Sequence, residues 1–338
     1  MGHVNLSIIL GTYNRLPLLK RCLNALSSGV HVDHEIFVID GGSTDGTLEY
    51  LEQYPGICLV KDDGLIGQAK SLNQVLGSID SDFVCWLSDD NLVADGMLDV
   101  AVDVLNTDTR VGMVSLKVKD VTGLHTKDPY LGAIWESGVL NCNQGMLPTE
   151  LLRQLGGFNE EFRDYGIDID LTTRVLLSGF RVVYTKKIAV YHYRDHETDN
   201  WITKTNRENR LQLARELYRS NYAKLILGEN ELAGTWFANP KSLGMNFPLF
   251  LCEKMIKHYK IILRFLLKIL MNGAIVGPWV SSFFRDCYNV FFGRFISRWD
   301  LVKNFRHPYY LVQQIPEALR LNAQVIENQN QEMDKNYG

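Results

Sequence analysis

The 338-residue sequence predicts an open α/β fold, a sheet of largely parallel strands with helices on both faces. Three observations carry that expectation. Apolar strand-like runs alternate with helical patterns four times before Asn91, the signature of parallel strands joined by crossover helices. Each run stops at a turn rich in glycine or polar residues. Three strand ends carry polar groups, Thr12-Tyr13-Asn14, Asp40 and Asp89-Asp90. Parallel strands would bring these to one rim, where open α/β sheets bind ligands.

Val4 to Leu10 reads as the first strand, closed by Gly11-Thr12-Tyr13-Asn14-Arg15. Pro17 suits the first turn of a helix, which runs to Leu26 with Leu18, Leu19, Cys22, Leu23 and Leu26 on one face. His34 to Asp40 is a second strand, and Thr47 opens a helix to Tyr54. Ile57 to Lys61 is a third strand; a loop from Gly64 to Gly67 leads into a helix from Gln68 to Leu76. Phe83 to Leu87 is the fourth strand, and it delivers Asp89 and Asp90. Beyond Asn91 the expectation is a helix from Ala94 to Leu105 and a strand from Val111 to Lys117. A polar loop from Lys119 to Tyr130 and a helix opened by Pro148 follow. A second acidic cluster, Asp164 to Asp170, enters a helix from Leu171 to Ser178. Strands from Arg181 to Thr185 and Ile188 to Tyr191 lead to His192.

The chain is 46% hydrophobic and 22% charged, enough apolar content for a real core. Its net charge of −4 argues against a dedicated nucleic-acid binder. Six cysteines show no metal-type spacing and several sit in apolar runs, so free buried thiols and a cytoplasmic setting are expected. The first residues enter a strand without a basic n-region, so no secretory signal is expected.

Two adjacent carboxylates with no basic neighbour suit a divalent cation with hard oxygen ligands. A lone Asp-Asp pair is more often a solvated turn; the three polar strand ends on one rim favour the ligand reading for Asp89 and Asp90. The first strand lacks GxGxxG and GGSTDGT lacks GK[ST], so neither a dinucleotide fingerprint nor a P-loop is present. Asp168 and Asp170 fall at or before a helix start, where capping is worth about 1 kcal/mol. Asp170 fits that role, and Asp168, placed on the preceding loop, is the better candidate for chemistry. A lone histidine at a strand end is more often structural, but His192 follows an apolar run as Asp40 and Asp90 do.

Taken together, SIILGTYNR, VIDGGSTDGT, GQAKSLNQVL with FVCWLSDDN, and GGFNEEFRDYGIDIDLTTRVLLSGF resemble, in order, the motifs of a family 2 inverting glycosyltransferase with the GT-A fold. The resemblance spans Leu6 to His192. It implies a mixed sheet with helices on both faces and a donor nucleotide held by Thr12, Tyr13, Arg15, Asp40, Gln68, Asn73 and Asp89. It implies Mn²⁺ or Mg²⁺ at Asp90, Asp89 and His192, with Asp90 the main ligand, and Asp168 as the general base. Trp135, Glu136 and Asp170 are the acceptor-side candidates, and Asn141 to Gln144 share their loop. Two departures stand out. Ser88 replaces the first acid of a strict DxD motif, and Ile167 replaces the Glu before the base, which leaves Asp170 as the fallback.

The resemblance fades after Asn200, so the expected divisions are a catalytic domain over 1–200, a helical region over 201–321 and a polar tail over 322–338. Glu253, Lys257, Lys260, Arg264 and Lys268 form a stripe opposite Leu251, Met255, Ile256 and Phe265. A basic amphipathic helix of this kind suits a membrane surface, and the aromatic-rich 277–299 suits a bilayer interface. The alternative is a helix packed on protein or in a homo-oligomer. The expected partners are a nucleotide sugar, UDP first with dTDP and GDP as alternatives, and a saccharide or lipid-linked saccharide acceptor. The expected location is cytoplasmic, with peripheral contact at the inner face of the membrane through 250–300. The competing readings are a sugar nucleotidyltransferase, which would carry a Gly-rich basic loop after the first strand, and an inactive nucleotide-binding scaffold.

Overall fold

The computed structural model describes residues 4–122, 126, 129–132, 135, 137, 139–185, 187–194, 201–222 and 309–313. Four parallel strands form one half of the main sheet: β1 (Leu6–Thr12), β2 (His34–Asp40), β3 (Ile57–Lys61) and β4 (Phe83–Ser88). Their near-continuous apolar runs are what a strand covered on both faces requires. Alternation along the strand sends Ile8 and Leu10 to one face and Ile9 to the other. The first face packs on α1 (Leu16–Gly29), through Leu19, Leu23 and Leu26, and on α4 (Met97–Thr107), through Leu98, Ala101 and Leu105. The second packs on α3 (Gln68–Gln74), through Ala69 and Leu72, and on α6 (Ile167–Leu177), through Ile169, Val175 and Leu176. Between β2 and β3 runs α2 (Thr47–Gln53).

The other half is mixed. After β6 (Val111–Ser115), β8 (Gly145–Pro148) inserts antiparallel between β4 and β6, and α5 (Thr149–Gln154) follows it. Then β9 (Arg181–Thr185) runs parallel to β6, and β11 (Tyr309–Gln313) antiparallel to β9. The resulting order is β11-β9-β6-β8-β4-β1-β2-β3. This is the mixed α/β architecture of the GT-A fold.

Four strands are not where the sequence pattern puts them; one of them, β11, lies in the stretch 201–321 expected to be helical. Asn91–Val93 is a strand, β5, before the helix. Val118–Thr122 is a strand, β7, inside the expected loop. Both pair with β10 (Val190–Tyr193) in a separate sheet ordered β5-β10-β7. Three- and five-residue strands are too short to show a period, and only their tertiary pairing makes them strands. The third is β8, masked by its terminal glycine and proline; Pro148 stands at its last residue, where a lost ladder donor matters least.

The helix α7 (Trp201–Asn221) continues this body, since Ala214 and Tyr218 are buried in the same core as α6. The expected boundary at residue 200 therefore falls inside shared packing. Cys22, Cys85 and Cys142 are free and buried, while Cys58 is free and exposed. The stripe at 253–268, the aromatic run at 277–299 and the tail from 322 lie outside the described residues. Among the described residues no helix is long and apolar enough to cross a membrane.

Candidate active site

Strand register builds the site. Thr12 pairs with Asp40, and Gly11 with Ser88, so the ends of β1, β2 and β4 form one rim. Thr12 Oγ1 donates to Asp89 Oδ2 at 2.8 Å. Arg15 Nη1 bridges the acid pair, 3.1 Å from Asp89 Oδ1 and 3.3 Å from Asp90 Oδ2. Asn91 Nδ2 donates to Asp90 Oδ1 at 3.0 Å, while the Asn91 carbonyl oxygen accepts from the Ser88 amide at 3.0 Å. Burial pushes the Asp89 carboxyl up to about 6, against the Arg15 charge and with the help of Asp90.

The small sheet supplies the histidine. On β10, His192 stands in register with Asn91 on β5 and Asp120 on β7. Its Nε2 lies 3.3 Å from Asp90 Oδ2 and its Nδ1 3.0 Å from Asp120 Oδ1. Burial alone would lower the imidazole pKa, but its hydrogen bonds to Asp120 and Asp90 outweigh this and raise it. Asp120 is missing from the sequence-based candidates because its strand was read as a loop. It is fully buried and accepts from Tyr130 Oη at 2.9 Å and Arg194 Nε at 2.8 Å.

On β2, Asp40 Oδ2 accepts the amides of Gly42 and Ser43 at 3.1 and 2.9 Å. Its Oδ1 is buried with no hydrogen-bond partner among the described residues. Such an oxygen awaits a donor, since leaving it unpaired costs about 1–3 kcal/mol. Tyr13 is exposed beside it, and Gly41 packs between the Tyr13 Cβ and the exposed Leu65. Gln68 is half-buried at the first residue of α3.

Asn73 is not placed at this rim by its bonds. Its side chain is committed to the loop after α5: the amide donates to Phe158 O at 2.8 Å and to Glu160 Oε1 at 2.9 Å, and its oxygen accepts from Phe158 N at 2.8 Å. These bonds hold both ends of the Asn73 amide to the loop at Phe158, and none of them supports the nucleotide role expected for it.

The second acidic cluster also differs from expectation. Asp168 lies inside the first turn of α6, not on the loop before it, and Gly166 is the cap residue with no side-chain cap bond. Half-buried Asp168 accepts from Asn141 Nδ2 at 2.5 Å. Burial raises its pKa, and the Asn141 bond only partly offsets that. Asn141 precedes β8, and β8 pairs Gly145 with Trp86 of β4. Running antiparallel, the chain before Gly145 extends past the end of β4, towards Ser88 and Asp89. Trp86 Nε1 donates to Asn143 O at 3.2 Å and ties that loop to the rim.

Asp170 turns the other way. It is buried, paired with Arg174 Nε at 2.7 Å, and accepts from Tyr222 Oη at 2.7 Å. Neither the cap role nor the acceptor role expected for it fits these bonds. Trp135 is half-buried with its ring 5.1 Å from that of Tyr218, an edge contact that anchors its loop. Glu136 lies outside the described residues.

Residues 7–152 match the family model described as Glycosyl transferase family 2, and over that stretch the chain is similar to that family. The N-acetylglucosaminyl-diphospho-decaprenol L-rhamnosyltransferase of Mycobacterium tuberculosis is 24% identical over 237 residues, 57% of this chain and 77% of that protein. Among solved structures, the mannosyltransferase PcManGT of Pyrobaculum calidifontis, in complex with GDP-Man and Mn²⁺, superposes with a TM-score of 0.51. It is 24% identical, and the match covers 72% of this chain and 73% of that one. Staphylococcus aureus TarS 1-349 gives a TM-score of 0.48 at 22% identity over 56% of this chain, and the match spans 60% of the TarS chain.

The chemistry of Asp90 and His192, a carboxylate oxygen and an imidazole nitrogen 3.3 Å apart, suits a divalent cation. A cationic guanidinium already lies between Asp89 and Asp90. Among the described residues no three His, Cys, Asp or Glu side chains are placed to hold a metal alone. Asp90 and His192 would be two of its ligands, with the rest left to donor phosphate and water.

Proposed function

We propose that the chain transfers a sugar, with inversion, from a nucleotide diphosphate to a hydroxyl of a saccharide or lipid-linked saccharide in surface glycoconjugate assembly. What supports this reading is the meeting, at the ends of β1, β2 and β4, of the Asp89–Asp90 pair and a buried Asp40 oxygen with no partner among the described residues, with Asp168 held by Asn141 on the loop that leads into β8. Asp40 Oδ1 accepts the imide or amide N–H of the base. Thr12 and Arg15 hold Asp89 and Asp90 in place beside the diphosphate. When bound, Mn²⁺ or Mg²⁺ at Asp90 and His192 supplies Lewis-acid neutralisation of the leaving group.

Asp168 takes the proton of the acceptor hydroxyl as its oxygen attacks the anomeric carbon. The bond from that carbon to the phosphate oxygen breaks as the new bond forms, and a single displacement inverts the centre. A base with a raised pKa is better matched to a hydroxyl proton than an ordinary carboxylate. UDP is the nucleotide proposed. The lipid-linked acceptor is supported by the name of the mycobacterial relative, whose substrate is a diphospho-decaprenol saccharide.

The test is incubation of the full chain with UDP-, dTDP- and GDP-sugars and Mn²⁺, with and without lipid-linked saccharides. The expected result is product of inverted anomeric configuration with one donor class. Nucleotide binding without turnover of any donor would favour the scaffold reading instead.

A further inference from the structure

We infer that Thr172 is a positioning residue for Asp168: its hydroxyl holds the loop before β8 to α6, so that Asn141 stays on the Asp168 carboxylate. This role rests on the reading of Asp168 as the general base. Thr172 is fully buried in α6, one turn after Asp168, and residues four apart on a helix share a face. Its Oγ1 donates to Asp168 O at 2.6 Å and accepts from the Cys142 amide at 3.1 Å. A hydroxyl carries one hydrogen and two lone pairs, so one short side chain makes both bonds at once. A threonine inside a helix often bonds the carbonyl four residues back and gains the helix nothing by it. Here the same oxygen has a second partner outside the helix.

Asn141 and Cys142 are neighbours on that loop, and both reach Asp168. Asn141 Nδ2 meets its carboxylate at 2.5 Å. Cys142 meets its backbone carbonyl by way of Thr172. One contact fixes a distance; two contacts from adjacent residues also fix a direction. The loop is closed in from other sides as well. Leu140 O accepts from Tyr184 Oη at 2.6 Å, and a Cβ on Gly132 would stand 2.0 Å from Asn141 O. Those two contacts confine the loop without including Asp168. The Thr172 hydroxyl joins the loop backbone to the backbone of the residue that carries the carboxylate, and so sets where Asn141 stands relative to it.

Thr172→Val is the decisive variant, because it nearly keeps the shape and removes both bonds. Thr172→Ser is its control, since it keeps the hydroxyl and loses only a methyl. A misplaced catalytic group costs up to about 10²-fold in rate, so Thr172→Val should lower kcat by about 10–100-fold with the donor Kd within about twofold. Thr172→Ser should recover most of that loss. If Thr172 acts through Asn141, the two losses overlap, and adding Thr172→Val to Asn141→Ala should lower kcat by less than about threefold more. A folded Thr172→Val protein with the kcat of the parent overturns the inference. So do losses that multiply in full, because they would mean that Thr172 acts independently of Asn141.

A second measurement follows the loop itself. The chain has six cysteines, so the full chain labelled with ¹⁵N-cysteine gives a small set of amide signals, and Cys142 is assigned by its loss in Cys142→Ala. In the parent, hydrogen exchange at the Cys142 amide should be slower than that of a free peptide amide by about 100-fold or more. Thr172→Val should speed it by about tenfold or more, while the Cys85 amide on β4 keeps its rate. A Cys142 amide that exchanges as freely as a solvated one in the parent overturns the inference whether or not the variant folds. If Asp168→Asn transfers sugar at nearly the rate of the parent, the reading of Asp168 as the base fails. The exchange rates at Cys142 then still decide whether Thr172 holds the loop to α6.

Discussion

The two acidic pairs of this chain look alike in sequence and differ completely in the fold. Asp89 and Asp90 leave a strand end side by side, share the Arg15 guanidinium and both face the rim. Asp168 and Asp170 lie in the first turn of a helix. Residues two apart on a helix point about 200° apart and cannot serve one site. Asp168 accordingly meets Asn141 on the loop beside β4, and Asp170 meets Arg174 and Tyr222 in the interior. The first pair acts as a unit; the second is one candidate base and one internal strut. Spacing relative to the local backbone period, not the number of acids, decides how many carboxylates a site receives.

The largest expected effect breaks the second pair at its functional member. A positioned general base contributes about 10²–10⁴-fold, so Asp168→Asn should lower kcat by that range while the donor Kd moves less than about threefold. A transfer rate near that of the parent would remove Asp168 from the mechanism. The same carboxylate sets a pH signature. Asp168 works ionised and its pKa is raised by burial, so the rate should fall as pH drops through that raised value. Asn141 is the donor that lowers the pKa. Asn141→Ala should therefore shift the acid limb of kcat to higher pH, and a shift to lower pH would contradict the assignment.

In the first pair the prediction is an asymmetry within a unit. Asp90 faces His192, Asn91 and Arg15, whereas Asp89 is held by Thr12 and Arg15. Asp90→Ala should weaken Mn²⁺ binding by about 10²-fold and Asp89→Ala by about tenfold, on the scale of two lost ligand contacts against one. Titration of the two variants with Mn²⁺ checks the order; equal losses would mean that the ion bridges both acids.

Most of this could be read before the structure. Continuous apolar runs ending in Thr12, Asp40 and Asp89 are strong signals, because parallel strands buried on both faces must look that way, and their register follows from the topology. The mixed half of the fold was not legible in the same way. The short strands β5 and β7 carry no periodicity of their own, and pairing with β10 alone defines them. Asp120 was lost with β7, since a charged residue in a polar stretch reads as solvated until a partner strand covers it. Asp170 and Asn73 were read towards the site because a motif identifies residue types but not the direction in which their side chains turn. For Asp170 that direction is now testable. Asp170→Asn should lower stability by about 1–3 kcal/mol through the half-paired Arg174, measured by denaturant unfolding, and leave kcat within about threefold.

The smallest effect concerns Asn73. Its amide pairs with both backbone groups of Phe158, as a strand neighbour would. Gly157, at a φ of +77°, comes so close that a Cβ there would stand 2.6 Å from the Asn73 side-chain oxygen. Phe158 in turn packs edge-on against Trp86 of β4, ring centroids 5.8 Å apart. Asn73→Ala thus leaves a buried backbone amide and carbonyl with poorer partners beside the strand that carries Asp89. The expected cost is about 1–2 kcal/mol of stability, with nucleotide Kd unchanged within about twofold by calorimetry. A folded Asn73→Ala protein with nucleotide affinity reduced tenfold or more would return Asn73 to the donor site. It would also mean that the loop at Gly157 and Phe158 opens when the nucleotide binds.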